Sequence, residues 1–86
     1  MGTGLRGDAI VERYPHPNGV EYAVVQYGRI LGTVVPHGHN KLRQRLWRCF
    51  AKQIELGIFS GRWGRQIAYQ RIQNFHQVKE KQREPI

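Results

Sequence analysis

Alternation dominates the first forty positions of the chain. Residues 9–14 (AIVERY), 20–27 (VEYAVVQY) and 30–35 (ILGTVV) are short runs of β-branched and aromatic residues bounded by turn formers, and they predict three strands. Between the first two lies PHPNG (15–19), whose Asn18-Gly19 favours the positive φ angles of a tight hairpin. Gly28-Arg29 predicts a two-residue turn with glycine first, and Pro36 ends the third run. That turn pairs Tyr27 with Ile30, Val25 with Gly32 and Ala23 with Val34. Ala23, Val25, Tyr27, Ile30 and Val34 then share one face of an antiparallel meander, and Tyr22, Val24, Gln26, Leu31, Thr33 and Val35 the other. Both faces carry more apolar residues than a solvated one needs.

The period changes after residue 40. Asn40 is placed as an N-cap, and Gly57 as the residue that closes a helix over 41–56. Leu42, Leu46, Cys49, Phe50 and Ile54 follow helical spacing, and Lys41, Arg45, Arg48 and Lys52 form a second, cationic stripe. Residues 58–65 (IFSGRWGR) interrupt with two glycines around Arg62-Trp63. A weaker amphipathic helix follows from Gln66, with Ile67, Ala68, Ile72, Phe75 and Val78 on one face. The expected architecture is α+β: a three-stranded antiparallel meander, a basic amphipathic helix packed on it and a second, looser C-terminal helix. In domain terms this is a flexible lead-in at 1–8, a single βββαα domain at 9–78 and a charged tail at 79–86.

Composition sharpens the picture at one point, which is charge. The 86 residues include 14 Lys and Arg against 6 Asp and Glu, a formal net charge of +8. Residues 1–40 are neutral on balance, with Arg6, Arg13 and Arg29 against Asp8, Glu12 and Glu21. All of the excess therefore lies in 41–86. Sorting of that kind points to a polyanionic partner. Ten of the cations are arginine, whose planar fork pairs with phosphate bidentately and stacks on bases.

Other chemistry finds little support. The six carboxylates occur in no context that suggests a shielded acid–base pair. The one cysteine, Cys49, forbids an internal disulfide and reads as a small core residue. His37 and His39 flank Gly38, but three or four ligands are needed for zinc, so they read as solvated loop residues. Neither GTGLRG nor GRWGR has the spacing of a phosphate-binding loop. No apolar run reaches membrane-spanning length, and the first residues lack the apolar stretch of a secretory signal, so a cytoplasmic location is expected.

The expected function is therefore nucleic-acid binding without catalysis or a cofactor, in a small regulatory or accessory factor; the sequence does not distinguish DNA from RNA. Lys41, Arg45, Arg48 and Lys52 would meet phosphates, Arg62 and Arg65 would extend the track, and Trp63 would stack on an unpaired base. The alternative is an inhibitor or adaptor docking on an acidic partner protein, such as a nucleic-acid enzyme. Exposed strand edges also admit a homodimer by strand addition.

Overall fold

A computed structural model describes residues 8–83, with side chains as far as His76. Residues 1–7 of the expected lead-in and 84–86 of the expected tail lie outside the described residues. Five strands are present: β1 (Ile10–His16), β2 (Gly19–Gln26), β3 (Arg29–His39), β4 (Arg45–Ala51) and β5 (Ile54–Ser60). One helix follows, α1 (Gly64–Arg83). The strands form a single antiparallel sheet in the order β1-β2-β3-β4-β5, each paired with its neighbour in sequence. The chain is thus a small α+β unit. The expected three-stranded meander with two helices is incorrect, because the segment assigned to the basic helix builds β4 and β5.

The reason begins at Asn40. Its Oδ1 accepts the Leu42 N–H at 2.9 Å, as an N-cap would, but its second bond is from Gln44, at 3.0 Å, one residue beyond the positions an N-cap reaches. Arg43 then enters the left-handed region at φ 63, and the Asn40 N–H donates to the Gln44 carbonyl, so the chain reverses instead of coiling. Beyond the reversal, Trp47, Cys49 and Ala51 are buried while Leu46, Arg48 and Phe50 are half-buried. That is a period of two, with apolar residues on both sides of the strand. Helical spacing fits such a segment by coincidence. Lys52, at φ 59, starts the turn into β5.

The expected register is also one residue out. The β2–β3 turn is Tyr27-Gly28, both at positive φ (53 and 74), and Gln26 pairs with Arg29. Val25 pairs with Ile30 but Val24 with Gly32, which leaves Leu31 as an extra bulged residue. Its freed carbonyl accepts a hydrogen bond from His76 Nε2 at 2.8 Å. A further irregularity, between Cys49 and Phe50, leaves Leu56 as an extra residue in β5.

These registers assign the two sides of the sheet. Tyr22, Val24, Leu31, Gly32, Val34, Trp47, Cys49 and Phe59 face α1, which lies over β3, β4 and β5. Ala68, Tyr69 and Ile72 bring the helix into the core, and the Cys49 thiol donates to the Ala68 carbonyl at 3.4 Å. Ala23, Val25, Ile30, Thr33 and Val35 turn to the other side, together with Ile10, Tyr14, Phe50 and Ile58. No described helix covers that side, and Ile10, Tyr14, Ile30 and Ile58 are exposed on it. Among the described residues no helix is long and apolar enough to cross a membrane.

Candidate nucleic-acid interface

The junction of β5 with α1 is stitched across the start of β4. Gly61, at φ 84, turns the chain, and its N–H donates to the Arg45 carbonyl at 3.1 Å. Gly64 donates to the Gly61 carbonyl, and Ile67 to that of Trp63, the first bond of the helical ladder. Gly64 leaves room for the helix to start close to the sheet. A Cβ there would lie 3.1 Å from Trp47 Cδ1 and 3.3 Å from the Phe59 carbonyl carbon.

This stitching gathers arginines around aromatic rings. The Arg65 guanidinium lies 4.3 Å from the Tyr22 ring centroid and 5.4 Å from that of Trp47. Arg45 reaches Trp47 at 5.6 Å, from two positions back on the same strand, and Arg62 covers Trp63 at 5.4 Å. Tyr22 and Trp47 meet edge to face at 5.7 Å. Beneath them burial pushes the Tyr69 phenol above its ordinary value, while Arg65 pulls the other way through its charge and a hydrogen bond. Arg65 is therefore held by packing, whereas Arg62 and Trp63 stand in solvent, Trp63 being 62% exposed.

Together Gln44, Arg45, Trp47, Gly61, Arg62 and Arg65 line an open cleft of about 420 Å³. Gln44 has a fixed orientation, because its Oε1 accepts from Asn40 Nδ2 at 3.0 Å, leaving Nε2 toward Gly61. The first turn of α1 holds no acidic residue, so the positive end of the helix adds to the three guanidinium groups. Among the described residues no carboxylate forms an ion pair with Arg45, Arg62 or Arg65.

The expected site residues are divided by the fold. Arg45, Arg62 and Arg65 come together, with Trp63 at their edge. Lys41 is exposed in the β3–β4 turn, and Lys52 sits at the β4–β5 turn, about 20 Å of strand from Arg45. Arg48 turns to the opposite side of the sheet, lies 5.1 Å from the Phe50 centroid and pairs with Glu55. The single cationic ridge along a helix does not exist. Trp47, which reads from sequence as a core residue, was missed as part of the cleft lining, and so was Tyr22 as the ring that holds Arg65 beside it. The spacing Arg45-x-Trp47, which puts both on one side of a strand, was the available signal.

Charge is sorted by side as well as by sequence. Glu12, Ala23, Thr33, Phe50 and Glu55 form one cross-strand row on the uncovered side, and Glu21 joins them beside Ala23. Arg13, Arg29 and Arg45 project to the side that carries α1. Arg48 is the exception among the strand arginines, and Glu55 neutralises it. The four histidines are scattered: His16 accepts from the Asn18 N–H, His76 holds the Leu31 carbonyl, and His37 and His39 are exposed. Among the described residues no three His, Cys, Asp or Glu side chains could share a metal.

No family model matches the chain, and no match was found among curated proteins or among solved structures.

Proposed function

We propose that this protein binds nucleic acid without catalysis, through the cleft between the start of β4 and the start of α1. The convergence of Arg45, Arg62 and Arg65 on that cleft, with no described carboxylate to neutralise them, carries the reading. Three guanidinium groups without an ion-pair partner among the described residues, beside a helix N-terminus, favour phosphate, and the flat rings among them favour bases. Glu12 and Glu21 on the opposite side support an orientation in which α1 and the cleft face the polyanion while these carboxylates point away.

Binding of a labelled oligonucleotide across a salt series tests it. Neutralising about three phosphates gives a log–log slope near −2 to −3. An affinity that does not change between about 50 and 200 mM salt rejects the phosphate contacts. Capture experiments with and without nuclease give the second check. A captured protein that survives nuclease, with no retained nucleic acid, would replace this reading by docking on an acidic protein.

A further inference from the structure

Taking nucleic-acid binding as its basis, we infer that the cleft seats a single unpaired nucleotide, so that the protein selects single strands over continuous duplex. The argument is one of shape first. The cations line an open cleft of about 420 Å³, with room for one nucleotide laid against its wall. A duplex presents phosphates on a convex surface and keeps its bases stacked inside. Placing a base in this cleft would require flipping it out, at a cost of a few kcal/mol. A single strand offers the same group at little cost.

Chemistry inside the cleft fits one nucleotide. Arg45 and Arg65 both lie near Trp47 and line the cleft, so a base entering it meets guanidinium groups of the kind on which bases stack. Arg62 stands at the rim with the positive end of α1, where the phosphate belongs. Gln44 Nε2 is a donor whose direction is set by Asn40, suited to a carbonyl or ring nitrogen on a base edge. Trp63, exposed next to Arg62, provides a platform for the adjoining base along the strand.

The test compares fluorescence anisotropy of labelled thymidylate and uridylate oligomers of about 20 nucleotides with a duplex of equal length. Either single strand should bind at least about tenfold more tightly than the duplex, and the tighter of the two identifies the natural backbone. Equal or tighter duplex binding overturns the single-nucleotide seat while leaving nucleic-acid binding intact. Failure of all three probes at low salt overturns both. Trp63→Ala, at an exposed position that leaves the core untouched, should lower single-strand affinity about tenfold and duplex affinity by a markedly smaller factor, that of a loosened Arg62. An equal loss on both probes would also overturn the seat.

Discussion

Ile72 of α1 packs into the space that Gly32 of β3 leaves by having no side chain. A Cβ on Gly32 would lie 2.9 Å from Ile72 Cγ2 and 2.3 Å from the Phe50 carbonyl oxygen. Gly32→Ala should therefore destabilise the protein by about 1–3 kcal/mol or more, read from the urea midpoint. The nearer obstacle is backbone, so Ile72→Ala, which removes both nearby methyl groups, should not rescue it, and Gly32→Ala should still destabilise in that background. Full rescue would mean that the helix, not β4, sets the limit.

Cys49 is fully buried, and burial pushes its thiol up to about 12, against a smaller downward pull from Arg71. The native protein should resist alkylation at pH 8 and react only as fast as it opens. The raised value also fixes the sign of a pH effect. The stability associated with the protonated thiol is complete below the ordinary value of 9.0 and is lost as pH rises toward about 12. Comparison of Cys49→Ala with the parent across that window should show a shallower decline in the variant.

Arg62 and Arg65 line the same cleft but differ in what holds them. Arg65→Ala removes contacts with Tyr22, Trp47 and Tyr69 and should cost about 1–2 kcal/mol of stability as well as affinity. Arg62→Ala should reduce oligonucleotide affinity with the thermal midpoint unchanged. Equal stability losses in the two variants would contradict the packing described for Arg65.

Arg48 provides the control on the far side of the sheet. Its pair with Glu55 is exposed, so Arg48→Ala should cost about 0.2–1 kcal/mol. Oligonucleotide affinity should stay within about twofold, since one uncontacted charge adds little at this distance in physiological salt. A loss matching that of Arg62→Ala would place the binding surface on the wrong side.

Much of the amino-terminal half was legible because its signals are local. Runs of Val, Tyr and Ile mark strands whatever they pack against, and β1, β2 and β3 contain them. Their ends differ from expectation, since β1 runs on through Pro15 and β3 passes Pro36, expected to end it, as far as His39. The side each residue takes was not legible. It depends on whether Tyr27 or Arg29 joins Gly28 in the turn and on the bulge at Leu31, which His76 stabilises from 45 residues away. Residues 41–56 misled for a different reason. A strand that is apolar on both sides has no clean alternation, and Asn40 accepts from the Leu42 N–H at a reversal as it would at a helix start. The cleft was half visible. Arg62, Trp63 and Arg65 lie within four residues of each other, but Arg45 and Trp47 join them only because β4 pairs with β5.

The order of elements also bears on how the chain is made. Each strand finds its mate in the segment just before it, so the meander can zip up hairpin by hairpin as the polypeptide leaves the ribosome. The segment that shields Val24, Val34, Trp47 and Cys49 is translated after all five strands. Until then the nascent sheet is greasy on both surfaces, a short interval in which chaperone contact matters most.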